Sequence, residues 1–127
     1  MARTFTLQEA NETLTMILPL MDEIQSIQRK VLETFPDTWP DVVRTAGNGG
    51  NPALSKLLKD FERFDKIIHQ IIDLGIEIKD INTGLIDFPA LKDGHIVYLC
   101  WRYEEEGIQF WHEIDAGFAG RQPIETF

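Results

Sequence analysis

The pair Asp93-Gly94 constrains this chain more than any other feature. Asp-Gly between two alternating runs is the strongest short signal for a two-residue hairpin, because both turn positions need positive φ. Here the runs are 85–91 and 95–102. A two-residue turn sets Lys92 opposite His95. Counting back pairs Phe88 with Leu99, Asp87 with Cys100 and Ile86 with Trp101. Paired residues share a face of the sheet. One face then carries Ile86, Phe88, Ala90, Val97, Leu99 and Trp101, all apolar. The other carries Leu85, Asp87, Tyr98, Cys100 and Arg102, with Pro89 suited to an edge or a bulge.

More strands flank this hairpin. Ile76-Glu77-Ile78-Lys79 alternates like a short edge strand, and Thr83-Gly84 makes the turn after it. A third turn around 104–107 leads to a last strand over 108–113. If Tyr103 faces Ile108, Trp111 joins the mixed face beside Cys100 and His112 lies on the apolar side near Leu99. A bulge exchanges the two.

The residues before Gly75 read as helical support. Thr6-Leu7-Gln8-Glu9 fits a capping box, with Phe5 placed for a weak hydrophobic staple onto Ala10. Leu7, Ala10, Leu14, Ile17, Met21, Ile24, Val31 and Phe35 then recur in alternating steps of three and four, with Gln28 the one polar entry. That seam keeps one helical face on a partner helix. Leu18, Leu20, Ile27 and Leu32 widen it. Pro19 removes one backbone hydrogen bond, and a fixed bend around the sheet explains it better than a hinge. A second helix starts at the Asn51 cap with Pro52 in the first turn. It carries Leu54, Leu57, Phe61, Phe64, Ile68 and Ile71 on its seam and ends at Gly75. His69 falls beside that seam, towards solvent. The connection over 36–51 holds a helical turn from Asp41 to Ala46 and a Gly47-Asn48-Gly49-Gly50 loop. The loop lacks the spacing and the preceding strand of a phosphate cradle. Trp39 is expected to plug the helix ends.

The fold expected is α+β. A long antiparallel helical hairpin (6–74) packs on a small antiparallel sheet of three or four strands (76–113), followed by a C-terminal tail (114–127), all in one domain of 127 residues. Net charge is -9, from 12 basic and 21 acidic side chains. Such a chain lacks the basic face that phosphate contacts need, so neither nucleic acid nor an anionic membrane is an expected partner. No apolar run approaches the roughly 20 residues of a membrane span. One Cys leaves no internal disulfide and no multi-Cys zinc site, which fits a reducing, cytoplasmic setting. The first residues have no basic stretch ahead of an apolar core, so no signal peptide is expected.

The strings TFTLQEAN, GIEIKDINTGLIDFPA, LCWRYEEEGIQFWHE and DAGFAGRQP closely resemble a widespread prokaryotic family known as domain of unknown function 2203. The resemblance spans essentially the whole chain and is weakest in the middle loop. One departure is Glu104-Glu105-Glu106-Gly107, where such proteins often read like GEPE. The family has no established activity, so the resemblance implies membership and no mechanism.

Three chemical readings compete. A divalent metal site would draw on Asp87, His112, Glu113 and Asp115. Against it, neighbouring strand residues point oppositely, so His112 and Glu113 cannot both ligate without a bulge. The alternative is a cluster of solvated acids and a hydrogen-bonded His, so no cofactor is assigned. A Cys100 nucleophile needs a His base, yet Asp87 opposite it would raise the thiol pKa. An anion site would use the 116–121 turn with Arg121 or Arg102 as clamp. Its competitor is a tail lying across the sheet, with Arg121 ion-paired to Asp87 or Asp115.

Two functional classes follow. The favoured one is a non-catalytic binding or assembly protein that uses the mixed face and tail. Tyr98, Arg102, Trp111 and Arg121 would make its contacts, and a homodimer or a protein partner would be its assembly. The alternative is a small hydrolase-like enzyme with Asp87, His112, Asp115 and Arg121 around a pocket. It requires those side chains to converge in a concave site.

Overall fold

A computed structural model describes residues 3–47 and 59–127. The Asn48-Gly49-Gly50 run, the Asn51 cap, Pro52, Leu54 and Leu57 lie outside the described residues.

Helix α1 runs Leu7–Thr34. Both halves of the capping box form. The Glu9 N–H donates to Thr6 Oγ1 at 3.0 Å, and the Thr6 N–H donates to Glu9 Oε1 at 2.8 Å. The seam is buried at Ala10, Leu14, Ile17, Met21, Ile24 and Val31, and Ile27 is buried beside it. Leu18, Leu32 and Phe35 are exposed instead. Helix α2, Trp39–Thr45, is the short turn expected in the connection. Trp39 is buried against Phe64, ring centroids 5.7 Å apart, and its Nε1–H donates to Asn82 Oδ1 at 2.6 Å.

Helix α3, Lys59–Asp73, buries Phe61, Phe64, Ile67, Ile68 and Ile71. Arg63 grips Glu23 of α1 with two bonds of 2.8 and 2.9 Å. Met16 and Leu20 of α1 share a groove with Gln70 and Leu74. Numbers rise along one helix as they fall along the other, so the pair is antiparallel. Gly75 ends the segment at φ +94°, where a Cβ would sit 3.1 Å from the Arg3 side chain.

The sheet is antiparallel, in the order β1 (Glu77–Asp80), β2 (Leu85–Lys92), β3 (His95–Arg102), β4 (Phe110–Glu113), β5 (Gln122–Pro123). Among the described residues it has five strands rather than the three or four expected. The fifth comes from the tail and pairs only Pro123 with Phe110 and Gln122 with Trp111. Two residues carry no period-2 signal, so only the tertiary structure reveals it. The β2–β3 register matches the expected one at every pair from Leu85↔Arg102 to Lys92↔His95. Asp93 and Gly94 adopt φ +50° and +84°, as the tight turn requires.

Pro89 sits within β2 without breaking the sheet. β1 covers β2 only as far as Asp87. Beyond it the Phe5 N–H donates to the Pro89 carbonyl at 2.7 Å. A residue's N–H and C=O point to the same side of a strand, so the proline's missing donor falls where no strand needs it. Phe5 then stacks edge-on against Phe88 at 5.2 Å, locking the start of the chain to the core.

The apolar face of β2 and β3 (Ile86, Phe88, Ala90, Val97, Leu99 and Trp101) is buried in the same core cluster as the seams of α1 and α3. The mixed face lies on the opposite side.

Candidate functional site

The parity of β4 decides which side chains meet on the mixed face. β3 and β4 pair Tyr98 with His112 and Leu99 with Trp111. Carried back to the turn, that register sets Tyr103 opposite Gly107, not Ile108. A one-residue slip moves every side chain of a strand to the other face. His112 therefore joins Asp87 and Cys100 on the mixed face, and Trp111 joins Leu99 on the apolar one, the reverse of the arrangement with Tyr103 facing Ile108. Contacts outside the two strands hold the turn. The Asn11 side chain accepts the Ile108 N–H at 3.0 Å, and Glu105 Oε1 accepts the Arg102 N–H at 2.6 Å. Glu104 and Gly107 both take positive φ, +82° and +65°.

Asp87, Cys100 and His112 are each at most 2% exposed. One ligand atom from each lies within 4.8 Å of the others. His112 Nε2 is 3.1 Å from both Asp87 carboxyl oxygens. Its Nδ1 is 2.7 Å from the Glu113 carbonyl oxygen. A carbonyl only accepts, so Nδ1 carries a proton. Nε2 is thus the atom turned towards Asp87, and one proton is shared across that contact. Burial pushes the Asp87 carboxyl up, against the opposing pull of His112. Burial also pushes the Cys100 thiol up to about 12, with the Asp87 charge and hydrogen bond adding to it. Asp87 opposite the thiol, legible in the sequence, acts in the same direction but is the smaller cause.

A second layer borders the cluster. The Tyr98 ring lies 5.4 Å from the His112 ring, and its hydroxyl donates to Glu77 Oε2 at 2.8 Å. Lys79 donates to Glu77 Oε1 at 2.8 Å, with its Nζ 4.5 Å above the Tyr98 ring. Burial raises the Glu77 carboxyl, but the bonds from Lys79 and Tyr98 outweigh it and hold the group below its usual range. Sequence reasoning left Glu77 and Lys79 out. The signal was present, since alternation along β1 and the Glu77↔Asp87 pair place Glu77 on the mixed face.

The other predicted residues disperse. Glu113 turns to the opposite face and meets His95 at 3.1 Å, as strand alternation requires. Asp115 is exposed in the turn after β4. Trp111 is buried, its Nε1–H donating to Thr126 Oγ1 at 2.8 Å. Arg102 is exposed, 5.1 Å from the Phe118 ring. Arg121 pairs with neither Asp87 nor Asp115. It donates to Glu105 Oε2 at 2.6 Å, with its guanidinium 3.9 Å above Phe110 and 4.6 Å above Phe118. β5 sets that position by tying the tail to β4. In the 116–121 turn, the N–H groups of Gly120 and Arg121 donate to the carbonyls of Gly117 and Phe118. The Ala116 N–H donates to the Glu113 carbonyl, so the anion cradle loses three of its donors to local backbone bonds.

The cluster is poorly suited to nucleophilic catalysis. A buried thiol with a pKa near 12 carries almost no thiolate at neutral pH. Of the four residues of the enzyme reading, only Asp87 and His112 meet. No described helix is long and apolar enough to cross a membrane.

Residues 3–124 match a family described as "Uncharacterized conserved protein (DUF2203)". No curated protein and no solved structure matches the chain.

Proposed function

The chain belongs to this family of uncharacterized conserved proteins, and we propose that it is a non-catalytic binding and assembly protein that meets a second copy of itself through the mixed face of its sheet. One observation carries this reading. Leu91, 58% exposed, pairs with Ile96 at the hairpin end of that face, and Ile114, just past β4, is 56% exposed. Large apolar side chains grouped on a sheet face beside buried aromatic and polar residues suit an interface. A twofold dimer brings one such patch against its own copy, so a single row serves both partners. Arg102, which is exposed, lies further along the same face, where a partner can reach the rim; Tyr98, expected to make contacts there, is buried instead. Two facts weigh against catalysis: Cys100 is buried and protonated, and Asp115 and Arg121 lie outside the cluster.

Light scattering tests the proposal. The unmodified chain should show the mass of a dimer. The double variant Leu91→Lys, Ile114→Lys should show that of a monomer, with unchanged circular dichroism. The apolar groove between α1 and α3, of about 500 Å³ and lined by Met16, Pro19, Leu20 and Leu74, is the competing surface. If Met16→Lys separates the copies and the strand variant does not, that groove is the interface and the sheet reading fails. A monomer at every concentration removes self-assembly altogether.

A further inference from the structure

We propose that Asp87, Cys100 and His112 form a binding site for one divalent transition-metal ion of the zinc class. Three different donors converge there, one oxygen, one sulfur and one nitrogen, each from a different strand of a continuous ladder. In a tetrahedral zinc site, bonds of about 2.0–2.3 Å put neighbouring donors roughly 3.3–3.8 Å apart. The three atoms here lie within 4.8 Å of one another, so small side-chain rotations suffice to reach that spacing. The strands need not move.

The histidine is already set for the task. Ligating imidazoles as a rule donate their other ring N–H to a carbonyl or carboxylate, which fixes the tautomer and aims the free nitrogen at the ion. His112 does this through Nδ1 and the Glu113 carbonyl at 2.7 Å. Nε2 is thereby directed at Asp87. Charge agrees as well. Binding releases to solvent the Cys100 thiol proton and the proton shared between Asp87 and Nε2. The carboxylate, thiolate and neutral imidazole that remain balance a divalent cation, and a site this buried tolerates no large net charge. The nearest cations do not oppose the ion strongly, because Lys79 is paired with Glu77 and Arg121 with Glu105. A thiolate and an imidazole select zinc, cobalt or copper over magnesium or calcium, which prefer oxygen alone. Among the described residues three protein donors are in place, leaving a fourth position for water.

This site differs from the metal set expected from the sequence, Asp87, His112, Glu113 and Asp115. Glu113 and Asp115 drop out and Cys100 enters. It is also independent of the dimer proposal, since no ligand lies in the exposed apolar row.

The test is a titration of the full, chelator-treated, tag-free chain with zinc, then with cobalt. One zinc per chain is expected, together with a rise in melting temperature by mass action. Cobalt should produce a near-ultraviolet thiolate-to-metal band. Cys100→Ser should abolish the band and weaken zinc binding by more than the roughly 100-fold that losing an outer hydrogen-bond partner costs. The cobalt band is read on the unmodified protein, so it stands even if the variant fails to fold. Absence of stoichiometric zinc, or zinc retained by Cys100→Ser with no thiolate band, would overturn the site.

Discussion

The two faces of this sheet are built from the same strands and follow opposite rules. On one face Ile86, Phe88, Ala90, Val97, Leu99, Trp101 and Trp111 are buried with the helix seams in one apolar core. On the other, Asp87, Cys100 and His112 are just as buried, yet all three are polar or ionisable. Apolar burial is tolerant, because any side chain of suitable volume recovers most of the energy. Polar burial is not, because each donor needs its own acceptor at hydrogen-bond distance. The helix-covered face should therefore report on how much is packed, and the mixed face on whether every partner is present.

The largest expected effect comes from placing a charge on the tolerant side. Ile68 of α3 is buried in the seam. Ile68→Asp puts an unpaired carboxylate there at a cost of several kcal/mol, enough to unfold a small domain. Circular dichroism should show an unfolded chain at neutral pH. Normal melting would mean that α3 does not supply the core.

A smaller and more selective effect is expected on the polar side. Asp87→Ala leaves His112 and the Cys100 thiol without their shared partner. Breaking a buried pair in this way costs about 3–5 kcal/mol. Replacing both partners by apolar groups, as in Asp87→Leu with His112→Phe, should cost much less than the sum of the two single changes. Denaturant melts of the three variants give the coupling directly. If the losses simply add, the cluster is three separate residues and the contrast between the faces disappears.

That contrast was half legible in the sequence. The β2–β3 register needed only Asp93-Gly94 and period-2 alternation, since a two-residue turn leaves no slack. The capping box, the seams of α1 and α3 and the stop at Gly75 are equally local, and they appear where local chemistry puts them. Assembly of the cluster depends on β4, whose parity is set by the turn over 103–109. That turn is anchored by Asn11, on a helix nearly a hundred residues earlier in the chain (|i−j| = 97), so no local rule reaches it. Cys100 opposite Asp87 could be read from the sequence, but their union with His112 could not. The same holds for the tail, where two residues of β5 decide that Arg121 serves Glu105 rather than Asp87.

The finest test of the comparison is the Cys100 thiol itself, because it separates burial from mere position. In an unfolded chain a thiol loses its proton near pH 8.5. In the folded protein burial, reinforced by Asp87, holds that loss back to about 12. Between those values the unfolded state binds fewer protons than the folded one. Stability is therefore complete below the unfolded pKa and falls as pH rises towards the folded one, by at most about 1.4 kcal/mol per pH unit. Tyr98, pushed up first by burial, and Tyr103, pushed up first by its bond to Asp22, add losses of the same sign at higher pH. The window between about pH 8.5 and 10 isolates the cysteine best, since an ordinary tyrosine keeps most of its proton there. In chelator-treated protein, melting temperature should fall across that window for the unmodified chain and much less for Cys100→Ala, whatever the offset between the two at neutral pH. Parallel curves would mean that the thiol titrates as freely as in an unfolded chain. The mixed face would then be open to water, and its polar residues would be surface groups after all.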